Sequence, residues 1–147
     1  MAYFLTGGTG FIGRFLVEKL LARGGEVYLL VRPASLGKLE ALKERWGEGA
    51  DRVHAVEGDL TQAGLGLDSK TASALAGKVD HFFHLGAVYD MASDEVTQHQ
   101  ANVEGTRHAL EAASALEAGC FHHVSSIAAA GLYQGTFRED MFEQATR

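Results

Sequence analysis

The chain has 147 residues, long enough to bury the core of one domain, and its 46% hydrophobic and 22% charged residues give the balance of a globular protein. A formal net charge of -6 argues against nucleic acid as a partner, no apolar run approaches the roughly 20 residues of a membrane helix, and no basic segment with an apolar signal region opens the chain. Cys120 is the only cysteine, which excludes an internal disulfide, and the expected location is cytoplasmic.

Residues 2–5, "AYFL", predict a short buried strand, and "GFIGRFLVEKLLARGG" predicts a helix. In that helix Phe11, Phe15, Leu16 and Leu20 form the expected apolar stripe, and Gly24 and Gly25 stop it. "EVYLLV" predicts a second strand, followed by a helix over residues 35–46. "RVHAVEGD" is a third strand running into a loop, "GLGLDSKTASALAG" holds a short helix, and "VDHFFHLGA" is a fourth strand. A long helix is expected over residues 93–117, with Val96, Val103 and Leu110 on one stripe, and "CFHHVSS" is a fifth strand. Asp90, Asp94 and Glu95 fit a solvated helix start, where acids favour the dipole. Strands that are apolar with little alternation, separated by helices, imply an α/β fold. The expected form is a Rossmann-like, doubly wound parallel sheet with helices on both faces.

Four glycines fall within seven positions at the first bend, in Thr6-Gly7-Gly8-Thr9-Gly10-Phe11-Ile12-Gly13. This stretch follows a strand and opens a helix within a βαβ unit, the context of a dinucleotide-binding loop. Gly7 suits the tight turn, Gly10 the approach of a pyrophosphate to the backbone, and Gly13 the close packing of helix on strand. The helix N-terminus offers unpaired N–H groups to the phosphates. The second strand ends in Arg32, nineteen residues after Gly13, where an acidic residue would hold the ribose hydroxyl of NAD. A guanidinium there can grip a 2′-phosphate, so NADP(H) is favoured over NAD(H).

These residues resemble the extended short-chain dehydrogenase/reductases, whose form of the loop is TGxxGxxG, here "TGGTGFIG" from Thr6 to Gly13. The resemblance implies cofactor contacts from Thr6, Gly7, Thr9, Gly10, Phe11, Ile12 and Gly13. Asp59-Leu60 looks like the Asp-hydrophobic pair that contacts the adenine. "HLGA" resembles the segment that runs beneath the cofactor, usually HxAA, so Leu85, Gly86 and Ala87 are expected there, with Gly86 a departure. Asn102 is similar to the family's structural asparagine and is counted with the cofactor site. In "HVSSIAAAG" the hydroxyl five residues before Gly131 is Ser126, which the resemblance makes catalytic by holding the substrate oxygen. Strand alternation would turn Ser125 to the other face.

Within the family, the loop, "LLVRP" and "HVSSIAAAG" look most like the thioester- and fatty-acyl-reductase branch. Those enzymes reduce acyl thioesters with NADPH to aldehydes or alcohols, so a small-molecule acyl thioester or related carbonyl is the expected substrate. Nucleotide-sugar epimerases and dehydratases usually carry an aromatic residue where this chain has Ala130, but remain an alternative, as does a non-catalytic NADP(H)-binding sensor. The family's catalytic tyrosine has a lysine four residues later. Tyr3, Tyr28, Tyr89 and Tyr133 are instead followed at that spacing by Gly7, Arg32, Ser93 and Phe137. Residues 1–147 are therefore expected to be the N-terminal part of a larger NAD(P)-binding domain.

Metal binding is not expected from the histidines. His81 and His84, and likewise His122 and His123, point to opposite faces of their strands. Cys120 reads as a small core residue.

Overall fold

A computed structural model describes residues 1–88 and 94–144. Tyr89, Asp90 and Ser93, which figure in the sequence expectations, lie outside the described residues. The strands are β1 (Ala2–Thr6), β2 (Glu26–Val31), β3 (Val53–Glu57), β4 (His81–His84) and β5 (Cys120–His123). The α-helices are α1 (Phe11–Ala22), α2 (Leu36–Trp46), α3 (Ser69–Leu75), α4 (Glu95–Gln98) and α5 (Gly105–Ala115), with α4 and α5 joined through a π-helical stretch over His99–Glu104. Asp94 caps α4 as the sequence suggests, its carboxylate accepting from Thr97 N at 2.8 Å.

All strand pairs are parallel, in the order β3-β2-β1-β4-β5. The chain runs outward from β1 to one edge and then returns to pair β4 on the other side of β1. That reversal opens a crevice at the carboxyl ends of β1 and β4, the place where open α/β sheets hold ligands. Two cores cover the sheet. On one face Tyr3, Leu5, Val27 and Leu29 pack with Val17, Leu20 and Leu21 of α1 and Leu39, Leu42 and Trp46 of α2. On the other, Phe4, Leu30, Val56 and Phe82 pack with Leu75 of α3 and Ala109, Ala112 and Ala113 of α5. The expected Rossmann-like α/β sheet is therefore the observed fold.

The expected stripe of α1 is half turned away from the core, and that of α4 and α5 wholly so. Phe11 is 75% exposed and Phe15 42% exposed, and their rings meet edge to face with the Arg14 guanidinium 5.0 Å from one centroid and 4.9 Å from the other. The buried face is Gly13, Val17, Leu20 and Leu21, so of the expected stripe Leu20 faces the core and Leu16 packs beside it. Gly13 sets this rotation, because its Cα side lies against loop backbone where no side chain fits. Positions two residues to either side then lie about 200° around the helix, in solvent. Along α4 and α5 small residues again replace large ones on the inner face. Gly105, Ala109, Ala112 and Ala113 are buried, while Val96, Val103 and Leu110 are at least half exposed. Small residues let the helix lie close against the sheet and the Leu60 loop, with Gly105 leaving only 3.3 Å between an added Cβ and Leu60 Cβ. Cys120 is exposed, not a core residue, because it stands at the start of a strand whose outer face is only partly covered.

Candidate functional site

The crevice at the carboxyl ends of the strands holds a cleft of ≈ 270 Å³. Its walls come from the glycine loop (Thr6, Gly7, Thr9, Gly10), the end of β2 (Leu30, Val31, Arg32), the loop after β3 (Gly58, Asp59, Leu60, Thr61) and the segment after β4 (Gly86, Ala87, Val88), with Ser35 and Ala101 completing it. Of the residues singled out in the sequence, Thr6, Gly7, Thr9, Gly10, Arg32, Asp59, Leu60, Gly86 and Ala87 come together here. Phe11, Ile12, Gly13, Leu85, Asn102 and Ser126 do not line it.

The loop's shape is steric. Gly7 has φ +72, and a Cβ there would lie 2.6 Å from Gly86 N and 2.7 Å from Leu85 C, so the exit of β4 packs directly on it. A Cβ on Gly13 would lie 2.6 Å from Gly8 Cα and also strike Gly7 O. Gly13 thus admits the loop itself rather than the strand named by the sequence expectation. Gly10 differs. It is the N-cap of α1, and a Cβ on it would meet only Gly7 O, at 3.1 Å. Its open side leaves room for another molecule. The α1 N-cap makes no side-chain hydrogen bond and the first turn has no acidic residue, so the positive end of the helix dipole is left uncompensated at the loop.

Across the cleft, Arg32 is exposed where β2 ends, and no partner for its guanidinium occurs among the described residues. The Asp59 carboxylate accepts from Thr61 N and Thr61 Oγ1, both at 2.8 Å, which holds the loop after β3 in a turn. Leu60 O accepts from His108 Nδ1 at 2.8 Å.

Beneath the cleft runs a buried polar chain whose proton positions follow by elimination. Thr106 Oγ1 donates to Asn102 O at 2.6 Å, so it must accept from His84 Nε2, 3.1 Å away. The proton is then on Nε2, and the bare Nδ1 accepts from Thr6 Oγ1 at 2.7 Å. Thr6 Oγ1 in turn accepts from Gly86 N at 3.0 Å. A neutral imidazole satisfies every bond of this chain. Burial, with a smaller contribution from His123 stacked beside it, pulls the His84 pKa from its ordinary 6.5 down to about 4. Asn102 then clamps Val88 of the wall, its Oδ1 accepting from Val88 N at 2.8 Å and its Nδ2 donating to Val88 O at 2.9 Å. Asn102 therefore shapes the cleft through Val88 while lying behind its surface. No sequence feature singled out Thr106, although its spacing four residues after Asn102 places the two on one helix face.

Ser126 stands three residues beyond the end of β5, exposed, where its Oγ accepts from Ala128 N at 3.2 Å and caps a short 3-10 turn over Ile127–Ala130. Strand alternation therefore does not separate Ser125 from Ser126.

Comparison with known proteins places the chain among relatives in sequence and in fold. The NAD-binding family described as male sterility protein matches residues 5–146. A linear gramicidin synthase of Brevibacillus parabrevis is 38% identical over 135 residues, which is 86% of this chain and 3% of that protein. The terminal R domain from the myxalamid PKS-NRPS biosynthetic pathway superposes with a TM-score of 0.77 and 31% identity, over 92% of this chain and 37% of that one. The reductase (R) domain of a non-ribosomal peptide synthetase from Mycobacterium tuberculosis gives 0.74 and 29%, over 89% and 34%. The chain thus spans little more than a third of the solved domains it resembles.

Proposed function

Because the chain belongs to the NAD-binding family described as male sterility protein, we propose that it forms the cofactor-binding part of an NADPH-dependent reductase of the extended short-chain type. Its substrate class is an acyl thioester, on coenzyme A or on a carrier protein. The observation that carries the cofactor reading is the convergence on one cleft of the open backbone at Gly10, an α1 N-terminus with no side-chain cap or first-turn acid, and Arg32, which has no partner among the described residues.

Each element has a distinct task in this reading. Gly10 and the first-turn amides of α1 accept a pyrophosphate, with the dipole favouring its charge. Arg32 offers a planar fork of donors to a ribose 2′-phosphate. Asp59 and Leu60 bound the place for the adenine, and Gly86 and Ala87 form the floor, held by Thr6 and His84 from below. At ≈ 270 Å³ the cleft lies below the about 300–1,000 Å³ usual for small-molecule sites, in keeping with a place for the adenosine end. The nicotinamide, when bound, supplies the hydride. Ser126 is the proposed donor that holds the carbonyl oxygen while charge develops on it. The thioester reading is supported by the reductase domains of peptide synthetases among the similar proteins.

Titration of the purified chain with NADPH and NADH, followed by fluorescence or calorimetry, tests the cofactor reading. Tighter binding of NADPH is expected, and equal affinities would remove it. Assay of a longer protein containing this segment, with an acyl-CoA beside UDP- and dTDP-sugars, tests the substrate reading. Turnover of sugar nucleotides alone would make it an epimerase or dehydratase. The 147 residues alone hold no tyrosine followed four positions later by lysine, and are expected to bind cofactor without oxidising it.

A further inference from the structure

The far end of the sheet carries a second cluster of chemically able side chains. Parallel pairing sets His81 of β4 directly beside Cys120 of β5, and His122 follows two residues along the same strand. Side chains two apart on a strand share a face, so all three project from one side of the sheet. One nitrogen of each ring and the Cys120 Sγ lie within 4.8 Å of one another, with His81 Nδ1 3.0 Å from His122 Nε2. We propose that His81, Cys120 and His122 bind a borderline divalent transition-metal ion, zinc above all, at the amino ends of β4 and β5.

The geometry is close to what such an ion requires. Zinc held at its usual bond lengths in a tetrahedron separates two imidazole nitrogens by about 3.3 Å and a nitrogen from a thiolate by about 3.6 Å. The two rings need to part by only a few tenths of an ångström, and the thiol to move by no more than about an ångström by side-chain rotation. The rings are already braced. Phe83 stacks on His122 at 4.4 Å with 13° between planes, and Tyr3 stacks on His81 at 6.0 Å with 19°. Cys120 is exposed and both histidines are half-buried, so an ion can enter and keep water as its fourth ligand.

The donor set selects the metal. Two imidazoles and a thiolate suit zinc, cobalt or copper and give magnesium and calcium none of the oxygen ligands they need. Protons balance simply. The ring that donates in the His81–His122 hydrogen bond moves its proton to its other nitrogen, and the thiol releases one proton to solvent as the metal–sulfur bond forms. The site lies at the end of the strands opposite the glycine cleft, so its consequence is structural: it clips β5, a strand of four residues, to β4. His81 and His84, like His122 and His123, point apart within their own strands, and only the pairing of the two strands brings His81 to His122 and Cys120.

The test is titration of the unmodified, metal-free chain with Zn²⁺ and Mg²⁺ by calorimetry, and with Co²⁺ by absorbance. Expected are one zinc per chain, no magnesium heat, a tetrahedral cobalt spectrum and a thiolate-to-cobalt charge-transfer band. Cys120→Ser, at an exposed position, should abolish that band, and both it and His122→Ala should weaken zinc binding by at least about tenfold, the loss that removing even an outer-sphere partner can cause. His123→Asn, on the opposite face, should bind as the unmodified chain does. Absence of zinc heat, an octahedral cobalt spectrum without the sulfur band, or unchanged affinity in Cys120→Ser would each overturn the proposal.

Discussion

The two walls of the cleft are built by different physics. The β1–α1–β2 side is a steric lock: Phe4, Leu5, Val27 and Leu29 are fully buried, and the loop above them is shaped by backbone so close at Gly7 and Gly13 that no side chain fits. The β4–α5 side is a polar lock, in which His84, Thr106, Thr6 and Asn102 hold the segment 85–88 by directed hydrogen bonds. The β5 edge beyond it is largely open, with its end residues exposed. A steric lock depends on volume and is indifferent to pH. A polar lock depends on one protonation state.

The steric lock should break hardest. Gly13→Ala drives a Cβ into Gly8 Cα and Gly7 O, and should cost about 3 kcal/mol, the upper end of ordinary overpacking, read as a shift in denaturant midpoint. Gly10→Val, with only Gly7 O nearby, should leave the circular dichroism spectrum unchanged and abolish dinucleotide binding. If both variants behave alike, the distinction between a packed and an open glycine is wrong.

The polar lock should fail with acid. The His84 pKa is about 4 in the folded chain against an ordinary 6.5, so the unfolded chain takes up the proton first as pH falls. The stability tied to neutral His84 is whole above about pH 6.5 and declines progressively down to about pH 4. The total is about 3 kcal/mol, from 1.36 kcal/mol per pKa unit. His84→Gln should flatten that part of the pH profile in urea denaturation. A slope unchanged in the variant would assign the acid sensitivity elsewhere.

Smaller effects are expected on the rim. Arg32→Asp should lower the preference for NADPH over NADH by about 1.5–3 kcal/mol, the scale of a hydrogen bond to a charged group, with little change in stability. Ser126→Ala should change stability by no more than about 0.5 kcal/mol, since the residue is exposed and makes one local bond. In a longer, active protein the same change should reduce kcat by about 10²–10³ if the hydroxyl holds the reacting oxygen. Unchanged turnover would leave Ser126 as a turn cap alone.

The sequence by itself determined the alternation of strands and helices, the parallel sheet, and the glycine loop at the first strand's end. Those features are local, because a continuous apolar run or a glycine at a fixed offset constrains the backbone of its own segment. Nine of the residues named from the sequence meet in the cleft because each lies at or just beyond the carboxyl end of a strand of one parallel sheet. What lay between segments was decided only in three dimensions. Helix rotation is one case: the large residues Phe11, Phe15, Val96, Val103 and Leu110 look like core, yet glycine and alanine take the inward face because backbone and loops come too close for anything larger. The polar chain through His84 is another, joining residues 78 and 22 positions apart. The His81–Cys120–His122 cluster is the third. Period-two alternation turns neighbouring side chains apart within one strand, and only the register between β4 and β5 brings residues 41 positions apart within 3.0 Å.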